Sequence, residues 1–151
     1  MPEEYRNIYK TCRKAAGFTQ EAAAERLGIS VESLRAYETG QRVPPDDVAE
    51  LMSVLYNSLH MLVHHVREKN AMYSRVVPEV PQCSVLEASA RLTNRIYAFA
   101  DSHADRRLMR MAEDNVIDQV ERPEFDAILE ELQEIVEAAL ALRCAKDTER
   151  A

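Results

Sequence analysis

The sequence predicts an all-α protein. The chain of 151 residues has 3 Gly, 6 Tyr, 3 Phe and no Trp, and it is rich in Ala, Leu, Glu and Arg, which favour helices over strands. Apolar residues recur at helical spacing along most of the chain. Residues that start or stop helices stand where these repeats begin and end. The length fits one domain or two small ones.

The composition also limits the classes of function. A net charge of -7 gives no general attraction to nucleic acid or to anionic membranes. No apolar run approaches the ~18 residues of a spanning helix, and the first residues are charged throughout, so neither a membrane span nor a signal peptide is predicted. We expect a cytoplasmic protein whose Cys12, Cys83 and Cys144 are small, buried, reduced residues.

The first two predicted helices are short. The first covers residues 3–16 and ends at Gly17, since glycine readily takes the left-handed conformation that ends a helix. Thr19 is a suitable N-cap for the second helix, over residues 20–27. Gly28 is then expected to end the second helix in the same way.

Two further helices follow in the first half of the chain. Ser30 is the expected N-cap of a third helix over residues 31–38, before Gly40. The fourth starts at Pro45, and its apolar spacing predicts one unbroken helix as far as Lys69. The side chains expected to form the common core are Ala24, Ile29, Leu34, Tyr37, Val48 and Leu51.

The helical pattern is interrupted in the middle of the chain. Residues 70–83 include Pro78 and Pro81, which favour an extended linker. We therefore predict one domain over residues 1–69 and a second over residues 84–145.

The second domain is predicted to be a helical hairpin. The stretch SVLE at residues 84–87 is a capping box, and the helix that it starts continues to about Glu113, with room for a kink near Asp101. Pro123 fits the first turn of the last helix. The two long helices, joined through residues 114–115, carry wide apolar stripes, of which the hairpin buries a part. We expect a second copy of the chain to cover the rest, and the alternative is a bundle that packs on the first domain of the same chain. The predicted oligomerisation residues are Leu92, Ile96, Phe99, Phe125, Ile128, Leu129, Leu132, Ile135, Val136 and Leu140.

The pair of short helices joined through Gly28 and Ile29 is typical of a helix-turn-helix. The stretch RKAAGFTQEAAAERLGISVESLRAYETGQRVPP resembles the Cro/lambda-repressor (XRE-type) DNA-binding domain over about residues 5–57. The resemblance implies a lambda-repressor-like head whose third helix enters the major groove of double-stranded DNA. The DNA-binding residues that it implies are Thr19, Gln20, Ser30, Val31, Glu32, Ser33, Arg35, Ala36 and Arg42.

The function expected from this resemblance is sequence-specific regulation of transcription on a two-fold symmetric operator, by a homodimer or a higher even oligomer. Residues 82–143 are similar to the C-terminal part of small phage regulatory proteins of the CII type, which implies a phage or mobile-element regulator. Residues 1–55 hold seven basic and nine acidic side chains, so we expect modest affinity for DNA. The alternative is a protein-interaction module, such as an antirepressor or antitoxin-like partner, that keeps the fold without binding DNA.

An enzymatic or metal-dependent function has little support in the sequence. His60 and His64 have the i, i+4 spacing that can chelate zinc, but Met61 stands where a metalloprotease helix has Glu. We expect His60, His64 and His65 to be interfacial or surface residues. No catalytic residue, metal site, cofactor, membrane partner or small-molecule substrate is predicted.

Overall fold

The computed structural model describes residues 8–146, and within that range it contains nine helices and no strand. The chain divides into two compact units, one ending at Val77 and the other beginning at Pro78. The helices are α1 (Ile8–Ala15), α2 (Gln20–Leu27), α3 (Val31–Glu38), α4 (Asp46–Leu55), α5 (Leu59–Lys69), α6 (Tyr73–Val76), α7 (Val85–Asp101), α8 (Ala104–Met111) and α9 (Arg122–Cys144). No helix of the described part could span a membrane, being too short or too polar. The expected start of α1 at Glu3 lies outside the described residues.

Local capping explains why α2 and α3 are short. The Thr19 hydroxyl accepts a hydrogen bond from the Ala22 amide at 3.1 Å and begins α2. Ser30 accepts from the Ser33 amide at 3.0 Å and begins α3. Between the two caps, Gly28 ends α2 in the left-handed conformation with φ +68°. The bounds of both helices are those expected from the sequence.

The core of the first unit is built from α1 to α5. Its buried members are Ile8, Tyr9, Cys12, Ala23, Ala24, Leu27, Leu34, Tyr37, Met52, Tyr56 and Met61. Ile29 and Val48 pack against this core, as expected, but Leu51 is 53% exposed and does not belong to it. Helix α4 buries Ala49, Met52 and then Tyr56 just beyond its end, and this spacing places Leu51 on the opposite side.

The single long helix predicted from Pro45 to Lys69 is instead the pair α4 and α5. Asn57, between them, has φ +49°, which ends the α-helical path of the backbone. Buried Ser58 then caps α5 by accepting from the Met61 amide at 3.2 Å. Apolar residues continue at helical spacing across this break, so their pattern alone did not reveal it.

The segment expected to be an extended linker contains the short helix α6. This helix packs on α5 within the first unit. The side chain of Arg67 also donates from Nε to the carbonyl oxygen of Val77 at 3.3 Å. The first part of the segment therefore belongs to the packed structure of the first unit.

The second unit is a helical hairpin with one additional helix. Ser84, the N-cap of α7, forms a parallel bridge with Lys146 beyond the end of α9, so α7 and α9 run in opposite directions. Arg95 on α7 pairs with Glu134 on α9 at 2.6 Å. The kink allowed near Asp101 is a complete break, because His103 takes φ +56° before α8 begins.

The packing inside this unit changes the interpretation of the apolar stripe. Ile128, predicted to be an oligomerisation residue, is 1% exposed and lies in the core of its own unit with Ala104 and Met111. Three more of the predicted residues, Phe99, Phe125 and Leu132, pack against the same core. Helix α8 covers this part of the hairpin, which the sequence pattern could not indicate. Three others stay about half exposed: Ile96 at 48%, Leu129 at 46% and Val136 at 46%.

Candidate nucleic-acid interface

The corner between α2 and α3 is held by backbone hydrogen bonds and by packing beneath it. The amides of Gly28 and Ile29 donate to the carbonyl oxygens of Glu25 and Ala24, at 3.2 and 3.1 Å. These two bonds satisfy carbonyls that the end of a helix would otherwise leave without partners. Leu34 on α3 is fully buried in the core of the unit. The direction of α3 is consequently fixed by the fold.

The first turn of α3 presents polar side chains to solvent. Ser30, Glu32 and Arg35 are exposed, and Val31 and Ser33 are partly exposed. The Ser30 hydroxyl donates to the Ser33 hydroxyl at 2.9 Å. This surface therefore offers hydroxyl, carboxylate, guanidinium and apolar groups within about one turn of helix, which suits contact with base edges.

Arg42, in the loop after α3, lies against that same helix. Its Nη2 donates to the Ser33 hydroxyl at 3.1 Å, and its guanidinium carbon lies 5.5 Å from the centre of the Tyr37 ring. The backbone amide of Arg42 also donates to the carbonyl oxygen of Ala36 at 3.2 Å. These contacts place a cation beside Ser33 and restrict its movement. The structure thus brings together Ser30, Ser33 and Arg42.

Two of the predicted DNA-binding residues are not on this exposed surface. Ala36 is only 9% exposed, and its carbonyl oxygen accepts the hydrogen bond from the Arg42 amide. Gln20 directs its side-chain nitrogen to Glu38 Oε2 at 2.9 Å. Thr19 is exposed, but its hydroxyl already serves as the cap of α2.

A buried charged pair at the end of α3 was not identified from the sequence. Arg13 donates from Nη2 to Glu38 Oε2 at 3.1 Å and also binds the other oxygen of that carboxylate through Nε. Its Nη1 donates to the carbonyl oxygen of Phe18 at 2.6 Å. The hydrogen bond to Glu38 raises the pKa of Arg13 above its ordinary value. Two features of the sequence could have indicated that Arg13 is buried. It lies one helical turn after Tyr9, and it directly follows Cys12, both of which are core residues.

This pair affects the charge available for DNA. Arg13 is 6% exposed, so one of the seven basic residues of this region cannot contact a phosphate. Its guanidinium also balances the carboxylate of Glu38, which would otherwise be a buried negative charge at the end of α3. The exposed cations of the corner and its surroundings are Lys14, Arg26, Arg35 and Arg42.

Two of the three histidines of α5, His64 and His65, are buried rather than at the surface, whereas His60 is partly exposed. His65 lies 2.7 Å through Nδ1 from the Tyr9 hydroxyl and 3.0 Å through Nε2 from Asp46 Oδ1. Hydrogen bonding from Lys69 and His65 lowers the pKa of Asp46. His65 therefore connects α1, α4 and α5. Among residues 8–146, no group of three or more potential ligands could hold a metal ion.

Residues 10–61 match a family model described as helix-turn-helix. The first unit carries a helix-turn-helix domain. The match supports the XRE-type resemblance, reaches from α1 into the start of α5, and leaves the second unit uncovered. No curated protein and no solved structure matches the chain. Domains of this family are typical of DNA-binding transcription regulators.

Proposed function

We propose that the chain is a sequence-specific transcription regulator that inserts α3 into the major groove of double-stranded DNA. The observation that carries the proposal is the exposed first turn of α3, fixed by a capped corner, with Arg42 bound against it through Ser33. A helix held in this way can enter the groove without rearrangement of the domain.

The exposed groups suggest separate roles for the candidate residues. Val31 can contact a thymine methyl, Glu32 can accept a hydrogen bond from cytosine, and Arg35 can bind guanine or a phosphate. Arg42 and the backbone amides that begin α2 are suited to phosphates. Gln20 would have to leave Glu38 in order to reach a phosphate, so we assign it to the positioning of that carboxylate.

Binding by two copies would compensate for the weak basic character of one domain. Two-fold pairing would place two α3 helices about one duplex turn apart, on the order of 34 Å, and would raise the effective concentration of the second domain on DNA. The half-exposed Ile96, Leu129 and Val136 support a self-associating surface on the second unit. We therefore propose a homodimer or a higher even oligomer on a two-fold symmetric operator. The resemblance of this unit to CII-type proteins supports a phage or mobile-element regulator.

Replacement of two cations tests the proposed DNA contact. Genome-wide footprinting with the purified protein would first supply a bound fragment. We expect Arg42→Ala to weaken binding to that fragment and to unrelated sequences alike. The slope of log K against log salt concentration should fall in magnitude by about one, because one counterion fewer is released. Arg35→Ala should cost about 1–3 kcal/mol of binding free energy if Arg35 reads a base. Arg106→Ala, an exposed change in the second unit, is the matched control and should leave binding unchanged.

The second candidate is a protein-interaction module, and the seven basic against nine acidic side chains of residues 1–55 favour it. In that case the variants at Arg35 and Arg42 would not change the affinity for any recovered DNA fragment. Titration of the wild-type and variant proteins by fluorescence anisotropy at two salt concentrations distinguishes the two functions.

A further inference from the structure

Two cysteines stand where the ends of the helical hairpin meet. Cys83 directly precedes Ser84, the N-cap of α7, and Cys144 is the last residue of α9. Ser84 forms a parallel bridge with Lys146, two residues beyond Cys144. Bridged segments lie about 5 Å apart, so this contact holds the two cysteine-bearing segments side by side. All of these residues belong to the second unit.

We propose that Cys83 and Cys144 form a reversible intramolecular disulfide when the protein meets a peroxide, and that this bond ties the start of α7 to the end of α9. Both thiols are free in the structure. A disulfide requires Cα atoms about 4.4–6.8 Å apart, a separation that neighbouring bridged segments can provide. The third cysteine, Cys12, is in the core of the first unit and takes no part.

The surroundings of the two thiols assign them different roles. Cys83 is partly exposed and can meet a peroxide, whereas Cys144 is buried. Burial raises the pKa of the Cys144 thiol more than the positive charge of Arg143 lowers it, and the proximity of Cys83 adds a smaller rise. A thiol with a raised pKa forms little thiolate, the species that attacks peroxide. Cys83 is therefore the group that reacts first, and Cys144 is the resolving cysteine.

The proposed reaction proceeds in two steps. The Cys83 thiolate attacks one oxygen of hydrogen peroxide, so that an S–O bond forms and the O–O bond breaks. This gives a sulfenic acid and a hydroxide ion, which takes a proton to become water. The Cys144 thiol then loses its proton as its sulfur attacks the Cys83 sulfur, forming the S–S bond and breaking the S–O bond. The hydroxide released takes up that proton to become water. The two thiols lose two electrons in total and the peroxide gains them.

The bond would stabilise the second unit by closing most of its length into a loop. Residues 83–144 include α7, α8 and α9, so the cross-link would restrict the unfolded state of all three helices. This effect concerns the second unit alone and does not depend on whether the first unit binds DNA. A failure of one proposal is consequently distinguishable from a failure of the other.

Peptide mapping of the full chain tests the inference. The reduced protein is treated with hydrogen peroxide, its remaining thiols are alkylated, and it is digested with trypsin without reduction. We expect peptide 76–91 linked to the peptide that begins at Cys144, in a chain that remains a monomer on a denaturing gel without reductant. Dithiothreitol should separate the two peptides. The midpoint temperature for thermal unfolding of the second unit should rise on oxidation by on the order of 10 °C.

Cysteine variants complete the experiment. Cys12→Ser should keep the linked peptide, whereas Cys83→Ser should lose both the linked peptide and the rise in midpoint. If peroxide instead leaves Cys83 and Cys144 separately oxidised, or links them only between chains, the proposal is overturned. The mapping of the wild-type chain decides this point even if a variant folds poorly.

Discussion

At the scale of single residues, the pair formed by Arg13 and Glu38 is the main charged element inside the first unit. Their side chains are only 7% and 2% exposed. Two charges withdrawn from water in this way are tolerated because each offsets the other, and because Phe18 and Gln20 provide further hydrogen bonds. The same pair joins α1 to the end of α3, so it helps to fix the direction of the helix proposed to read DNA.

Removal of the carboxylate should destabilise this unit strongly. We expect Glu38→Ala to lower the free energy of unfolding by about 3–5 kcal/mol, because Arg13 would remain buried without its counter-charge. Urea unfolding followed by circular dichroism measures the change. Glu32→Ala, an exposed change on the same helix, is the control and should stay within ~0.5 kcal/mol of the wild type. A loss below about 1 kcal/mol for Glu38→Ala would contradict this role of the pair.

The residue scale also shows what the sequence could predict of the candidate site. Ser30, Glu32 and Arg35, which the resemblance implied, are exposed on one short helix whose bounds the capping residues predicted. Ala36, by contrast, is buried, and Gln20 binds Glu38, a residue 18 positions away. Contacts of this kind depend on tertiary packing, which spacing along the chain does not describe.

At the scale of elements, local contacts alone place α2 and α3, whereas the junction of α4 and α5 also involves a contact between residues far apart in the sequence. The caps Thr19 and Ser30 bind amides three residues away, so the sequence was enough to place the starts of α2 and α3. Ser58 also caps locally, but it lies in the core, with its hydroxyl 3.4 Å from the Cys12 sulfur on α1. The residue that caps α5 thus also contacts a residue 46 positions earlier in the chain.

The importance of this break can be tested at its cap. We expect Ser58→Ala to lower the free energy of unfolding by about 1–2 kcal/mol, because the Met61 amide would lose its acceptor in a buried position. Asn57→Gly is the comparison, since glycine adopts the positive φ of that position readily and should cost little. Denaturant midpoints of the three proteins give the result. Equal stability of Ser58→Ala and wild type would show that the cap does not maintain the break.

At the scale of the whole molecule, helical spacing identified apolar stripes on the second unit but not what covers them. Ile128 and Leu129 are neighbours in sequence, yet the first is 1% exposed and the second 46%. Contacts with Ala104 and Met111 bury Ile128 inside its own unit. The residues that remain for a second copy of the chain are therefore fewer than the sequence suggested, and they include Ile96, Leu129 and Val136.

The proposed self-association can be tested on the exposed face of α9. Leu129 and Val136 are seven residues apart, about two helical turns, so they lie on one side of α9. The double variant Leu129→Glu, Val136→Glu would introduce charges there, and we expect sedimentation velocity to show monomers where the wild type forms dimers or higher oligomers. Circular dichroism should show unchanged helix content, because both positions are exposed. Val120→Glu is the matched control, since Val120 is 87% exposed but lies in the connection between α8 and α9. If the wild type sediments as a monomer at concentrations well above those needed for DNA binding, self-association through this face is wrong, and two-fold operator binding would have to arise on the DNA itself.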